Sequence, residues 1–276
     1  MEIRHNVSAK NITTYGGKGV LKEIYLPETA NEAVELFRSE KNIFVLGGGS
    51  NVIIPDGEIS TKVLSFARLN QMRIEGDRVI VEGGVRLNRL IKETREYDLG
   101  GLEFMAGVPA TIGGLVRMNA GAFGQEIGVY VDRITTLNSD NDKIDIFPPF
   151  DFGYRQGFQG VIIEVQMRLE KIEKEASLKR ENEYRLARRL RQPRGRSTGS
   201  VFRNPDRSAG YYIDKAGLKG MRIGGAEISP LHGNFIINVD SGSAEDFLCL
   251  ARTAKDRVYQ QFGIEMQEEF IVLGEI

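Results

Sequence analysis

Few residues in this chain can do acid–base or nucleophilic chemistry unaided. Its 276 residues include two histidines, His5 and His232, and one cysteine, Cys249. That excludes a disulfide framework and a thiolate metal cluster, and leaves little material for a histidine metal site or a Ser–His–Asp triad. No metal site is expected. Glycine is abundant instead, at 32 residues, and its placement carries the information. Gly47-Gly48-Gly49-Ser50-Asn51 follows the apolar run IFVL at 43–46. Three glycines there suit a loop whose backbone N–H groups must come close to an anion, usually phosphate. Taken alone, the triplet reads more simply as a tight strand-to-helix turn. It fails the two common phosphate fingerprints. A G-x-G-x-x-G frame opened at Gly47 ends on Val52, with no acidic residue at the usual distance, and Gly17-Lys18 is followed by Gly19. Neither a dinucleotide-binding Rossmann motif nor a P-loop is present. A large ligand held through backbone amides remains open.

The elements that must carry such a loop are legible in outline. Thr29-Ala-Asn-Glu32 is a capping box opening a helix to about Ser39. A strand at 43–46 then delivers the glycines. VLSF at 63–66 and the segment 72–84 have strand character, with Gly76-Asp77 as a hairpin turn. A helix is expected over 85–97. Residues 100–127, GGLEFMAGVPATIGGLVRMNAGAFGQEI, alternate glycine with small and apolar residues. This is poor material for helix or sheet and suits a backbone threaded around something flat and large. VDRITTLN and 160–172 read as strands closing that region. Ser243-Ala-Glu-Asp246 caps a last helix with Phe247, Leu250, Ala254 and Val258 at core spacing and Gly263 as its stop, followed by a short strand in 270–276. Cys249, within that helix between Leu248 and Leu250, reads as a small core residue rather than a nucleophile.

Bulk properties narrow the class. Net charge is −1, with 41% hydrophobic and 27% charged residues, so no global field points to nucleic acid or an anionic membrane. No long apolar stretch and no apolar segment after Met1 signals a membrane span or a leader, which predicts a cytoplasmic protein. The run 179–196 holds eight Lys or Arg against two Glu and marks a change of composition after Lys171. A solvated helix face is its commonest meaning; phosphate binding ranks second. RNA binding ranks last, because only Tyr184 interrupts the charges.

The motifs converge in order along the chain. TTYGGKG (13–19), VLGGGSNVII (45–54), GLEFMAGVPATIGGLVRMNAGAFGQEI (101–127), YRQG (154–157), STGSVFRNP (197–205), AGYYIDKAGLKGMRIGGAEIS (209–229) and GNFIINV (233–239) together closely resemble the UDP-N-acetylenolpyruvoylglucosamine reductase family, in its compact subtype. The resemblance spans nearly the whole chain. It implies an α+β protein: a two-subdomain FAD-binding fold of the vanillyl-alcohol-oxidase type plus a C-terminal α+β substrate-binding domain. The implied limits are residues 1–66 joined by 268–276, then 67–175, then 176–267. The implied activity is NADPH-dependent reduction of UDP-N-acetylglucosamine enolpyruvate to UDP-N-acetylmuramate, in peptidoglycan precursor synthesis.

The resemblance also implies roles. Gly47, Gly48, Gly49, Ser50 and Asn51 would wrap the FAD pyrophosphate. Gly107, Val108, Pro109, Thr111, Ile112, Gly113 and Gly114, with Asn119, Ala120, Gly121 and Gly124, would line the rest of the cofactor. FAD is expected to be noncovalent, since neither histidine nor Cys249 falls in these segments. Ser200 matches the family's proton donor and Arg155 the arginine at the substrate carboxylate, where a planar fork of donors suits a carboxylate and its enolate. Glu269 aligns with the C-terminal catalytic glutamate. The expected Leu-Glu-x-Glu-Val reads Met266-Gln267-Glu268-Glu269-Phe270 here, so Glu268 stays a rival. Tyr154, Arg203 and Asn204 are expected at the substrate, Arg203 toward the diphosphate. NADPH and the UDP-sugar are the expected partners, with no nucleic acid and no membrane; a monomer is favoured. Two rivals remain: an FAD-dependent oxidase or dehydrogenase of another small substrate on the same fold, and a nucleotide-binding module with a basic arm.

Overall fold

The computed structural model describes residues 1–138, 140 and 142–274. The chain divides into two compact units, each assembled from separate stretches. The first holds residues 1–4, 24–48 and 62–187; the second holds 5–23, 49–61 and 188–276. The chain passes from one to the other inside the glycine triplet, between Gly48 and Gly49.

The first unit is built on an antiparallel sheet in the order 143–146, 131–137, 164–168, 78–82, 72–75. Its hairpin is the expected one: Met72–Glu75 pairs with Arg78–Glu82, and Gly76 takes the positive φ of 67° that the turn demands. Helix Leu87–Arg95 lays Leu87, Leu90, Ile91 and Thr94 on the core, the i, i+3, i+4, i+7 stripe of an amphipathic helix. The three apolar residues join Val79, Val81, Phe104, Ile112, Val165 and Met167 in one apolar cluster. A smaller parallel element lies alongside in sequence. Ile24-Tyr25 and Phe44–Leu46 both pair with the strand Val63–Ser65, and helix Ala30–Ser39 is capped by Thr29 Oγ1 accepting from Glu32 N at 3.2 Å.

Residues 100–127 depart from expectation. They contain a short helix, Ile112–Arg117, and a hairpin pairing Gly121-Ala122 with Gln125-Glu126. Glycine opposes helix on propensity, yet Gly113 sits so close to Gly83 that an added Cβ would meet its carbonyl oxygen at 3.0 Å. Tertiary packing selects the glycine, and Thr111 caps the turn.

Helix Lys174–Arg191 carries most of the basic run. It is anchored by a buried network: Arg95 pairs with Glu181, Arg95 Nε donates to Ser177 Oγ at 3.3 Å, and Ser177 Oγ donates to Glu103 Oε1 at 2.6 Å. Arg185 Nε bonds Glu181 at 2.6 Å, and burial pushes the Arg188 guanidinium down from its usual value. The helix runs continuously past residue 176.

The second unit has a four-stranded antiparallel sheet, ordered 196–200, 235–238, 226–228, 222–223, covered by helices Ala209–Lys215 and Ala244–Phe262. The last helix follows expectation: Ser243 and Asp246 form a reciprocal capping box, Gly263 closes it at φ 68°, and Phe247, Leu250, Ala254 and Val258 are buried. Cys249 is half-buried, not a core residue, because it lies beside rather than on that stripe. Tyr15, from TTYGG, packs its ring edge-on against Phe247 with centroids 5.0 Å apart. Of the expected strand in 270–276, Ile271-Val272 forms, parallel to Val52-Ile53; residues 275 and 276 lie outside the described residues. No described helix is long and apolar enough to cross a membrane.

Candidate active site

In the first unit the two glycine-dense segments lie against each other. A Cβ on Gly47 would stand 2.9 Å from Thr111 Oγ1, and one on Gly48 would stand 2.9 Å from the Pro109 carbonyl oxygen and 3.0 Å from Ala110 Cα. No side chain fits at Gly47 or Gly48 at those distances. The 109–113 segment is itself strapped down: Leu87 N donates to Ala110 O at 3.1 Å, Ile112 N to Val85 O at 2.9 Å and Gly113 N to Gly83 O at 2.9 Å. Residues 47–51 bend without closing a hydrogen-bonded turn, which leaves peptide rather than side chain on offer. Such a surface suits a diphosphate.

Tyr154 and Arg155 occupy a two-residue turn. Gly153 N donates to Gln156 O at 2.8 Å and Gln156 N returns to Gly153 O at 2.9 Å. Arg155 sits at φ 56°, a left-handed conformation a non-glycine residue rarely takes and one that clusters at functional positions. Its guanidinium lies 5.2 Å from the Tyr154 ring centroid, and Nη1 donates to Gly121 O at 3.1 Å. Asn119, 2% exposed and at φ 41°, uses its side chain within the protein: Nδ2 donates to Glu126 Oε2 (2.7 Å) and Gly153 O (3.1 Å), and Oδ1 accepts from Gly128 N (3.1 Å).

The second unit presents Ser200 and Glu269 together. Ser197 pairs with Ile237 and Ser200 with Phe235, so three steps on one strand oppose two on the other. The extra residue makes a β-bulge, with Gly199 at φ 80°. A bulge re-aims the side chain that follows it, here the Ser200 hydroxyl. The Glu269 segment runs along the same strand: Glu269 N donates to Val201 O at 2.8 Å, and Phe202 faces Glu268 across a β-bridge. The two glutamates then separate. Glu268 is held by Lys255, whose Nζ reaches both carboxylate oxygens at 3.0 and 3.1 Å. Glu269 is fixed through its backbone, by the N–H bond to Val201 O and by its own carbonyl.

Glycine-loop residues support this strand. Asn51 Nδ2 donates to the Glu269 carbonyl at 2.8 Å, and Ile271 N returns to Asn51 O at 3.0 Å. Thr14 N donates to Gly49 O at 2.9 Å while its Oγ1 donates to Ser197 O at 2.6 Å. Arg203 Nε is buried with no hydrogen-bond partner among the described residues, which fits an acceptor arriving with a ligand. Asn204 Oδ1 accepts from Ala209 N at 3.0 Å at the start of a helix.

Comparison with known proteins bears on both halves. A model of an FAD binding domain matches residues 24–140, and one of the UDP-N-acetylenolpyruvoylglucosamine reductase C-terminal domain matches 191–273. Proteins called UDP-N-acetylenolpyruvoylglucosamine reductase from Alkaliphilus oremlandii and Lactiplantibacillus plantarum are 35% and 33% identical. The alignments cover 96% and 100% of this chain, and 91% and 95% of theirs. The crystal structure of the reductase of that name from Thermus caldophilus superposes with a TM-score of 0.85 at 33% identity, over 98% of both chains. The chain belongs to the UDP-N-acetylenolpyruvoylglucosamine reductase family.

As a member of that reductase family it is an FAD-containing oxidoreductase on a mixed α and β fold. The glycine backbone at 47–48, packed against 109–111, fits the diphosphate of such a cofactor. Reading the sequence missed Thr14, Asn51 as a clamp on Glu269, and Glu126. Thr14 lies inside the quoted TTYGGKG motif, which was the available signal; no local pattern points to Glu126.

Proposed function

We propose that the protein reduces UDP-N-acetylglucosamine enolpyruvate to UDP-N-acetylmuramate with NADPH as reductant. When bound, FAD supplies the hydride, taken from NADPH and delivered through N5 to the vinyl carbon distal to the carboxylate. Charge then develops on the adjacent carbon and its carboxylate, and the protein must stabilise it and supply a proton. Arg155 offers a fork of donors to the carboxylate. Ser200 donates its Oγ proton to the carbon beside it; an enolate is basic enough to take it. Glu269 hydrogen-bonds the developing enolate, and Glu268, committed to Lys255, does not compete.

The observation that carries this reading is the pairing of a bulge-aimed Ser200 with the Glu269 segment on one strand. The orphaned Arg203 Nε supports a role at the substrate diphosphate, and Tyr154 and Asn204 complete the proposed substrate set. The glycine loops and residues 107–124 are assigned to noncovalent FAD, with Asn119 contributing scaffold. The three-part division at 66/67 and 175/176 belongs to the same proposal, supported by the return of Ile271-Val272 to Val52-Ile53. A cytoplasmic location belongs to the same proposal, supported by a substrate and a reductant that are both charged nucleotides.

The test is stopped-flow absorbance of the purified holoenzyme. NADPH should bleach the flavin, and the enolpyruvyl substrate should restore its colour far faster than oxygen does. Faster reoxidation by oxygen would instead favour an oxidase of another substrate.

A further inference from the structure

The turn that presents Arg155 is gripped from one side by Asn119 and, behind it, by Glu126, a residue with no assigned part in the chemistry. Asn119 Nδ2 has two protons. One goes to Gly153 O at 3.1 Å, on the first residue of the turn; the other goes to Glu126 Oε2 at 2.7 Å. Gly153 O also accepts from Gln156 N, so both its lone pairs are used. The amide could rotate and offer its oxygen to Gly153, losing the grip. Two groups prevent this: the Glu126 oxygen requires a donor, and Gly128 N requires an acceptor at Oδ1, which it meets at 3.1 Å. Glu126 therefore fixes which way the Asn119 amide faces.

The contact is reciprocated. Arg155 Nη1 donates to Gly121 O, and Gly121 pairs with Glu126 in the hairpin whose turn residues, Phe123 and Gly124, both have positive φ. Two tight turns, 121–126 and 153–156, thus hold one another through Asn119 in one direction and Arg155 in the other. The hairpin is braced by helix Lys174–Arg191, where Gln125 Nε2 donates to Tyr184 Oη at 3.0 Å and the Phe123 and Tyr184 rings lie 4.9 Å apart. Behind the Arg155 turn, Gly157 lies so close to Val116 O that a Cβ there would overlap it.

We propose that Glu126 is a positioning residue: through Asn119 it locks the Gly153–Gln156 turn and so sets the guanidinium of Arg155 for the substrate carboxylate. This rests on the role assigned above to Arg155. A left-handed arginine costs free energy that its surroundings must offset, and the Asn119–Glu126 pair is the neighbour placed to do so.

The experiment uses the full-length holoenzyme as Glu126→Ala, Glu126→Gln and Arg155→Ala, with two readouts. Trypsin cleavage after Arg155 reports local opening of the turn independently of catalysis. Stopped-flow reoxidation of reduced flavin by the enolpyruvyl substrate reports the chemistry, with NADPH-driven flavin reduction and flavin content as controls. Glu126→Ala should raise the cleavage rate and slow reoxidation, each about tenfold, with both controls unchanged, the scale expected of misplacing one orienting group. Glu126→Gln keeps an acceptor oxygen and should behave as the parent. If Glu126→Ala leaves either readout unchanged, or if glutamine behaves like alanine, the positioning role is wrong. Should the alanine variant not fold, Glu126→Asp, one methylene too short to reach the amide, carries the same expectations. If Arg155→Ala itself does not slow reoxidation, the Arg155 assignment fails instead, and trypsin still decides whether Glu126 locks the turn.

Discussion

At the scale of single residues, Ser200 and Glu269 are both placed by backbone geometry. The hydroxyl leaves a bulge, and the glutamate arrives with its amide bonded to Val201 and its carbonyl held by Asn51. Ser200→Ala should leave NADPH-driven bleaching intact and slow the substrate-driven step by roughly 10²–10⁴, the usual contribution of a positioned proton donor. Loss of both phases together would argue for a structural role. Glu269→Gln should impair the second phase far more than Glu268→Gln, whose expected cost is the exposed Lys255 pair, worth at most about 1 kcal/mol. The reverse ranking in single-turnover rates would shift the assignment by one residue. Sequence alone pointed to Glu269 and kept Glu268 as a rival, because adjacent positions in one motif differ only in which face they present. Lys255, whose ion pair with Glu268 supports that proposal, sits on another element with no motif to mark it.

Elements were legible where local rules dominate. The caps at Thr29 and Ser243, the Gly263 stop and the Gly76-Asp77 turn all appear where the residues place them. Helix Ile112–Arg117 was not legible, since its Gly113 is there for the backbone of Gly83 rather than for the helix. The glycine triplet was ambiguous for the same reason. Gly48→Ala would press a methyl onto the Pro109 carbonyl and force the two loops apart. The purified variant should carry much less flavin, read from the ratio of its visible to its ultraviolet absorbance; full occupancy would dissociate that cradle from the cofactor. Gly199→Ala tests the bulge: at φ 80° a Cβ costs roughly 1–2 kcal/mol. Thermal unfolding should show that loss, and single-turnover kinetics a further slowing from the misdirected hydroxyl.

For the molecule as a whole, a pH dependence follows from one histidine. His232 Nδ1 accepts from Asn234 N at 3.2 Å, and its ring meets Phe235 edge-on. Burial, and secondarily Lys219, depress its pKa below the ordinary 6.5. The unfolded chain takes up the proton first as pH falls, so folding stability is full above about 6.5 and declines as pH drops through the depressed value. Denaturant midpoints measured between pH 7.5 and 5 should show this decline, and His232→Gln should flatten it. Composition shifts mark stretches of sequence, whereas the compact units are sewn from distant stretches by strand pairing, which composition does not record.

That stitching has a temporal side. The second unit draws residues 5–23 and 49–61 from early in the chain and everything else from 188 onward. A ribosome delivers these pieces far apart, at about 5–20 residues per second. Tyr15 and Ile53 therefore emerge long before Phe247 and Val272 exist to cover them, and must wait exposed or be shielded by a chaperone. The groups assigned to proton delivery are made late, so a nascent chain could gather its flavin cradle early yet stay unable to turn over until synthesis is nearly done.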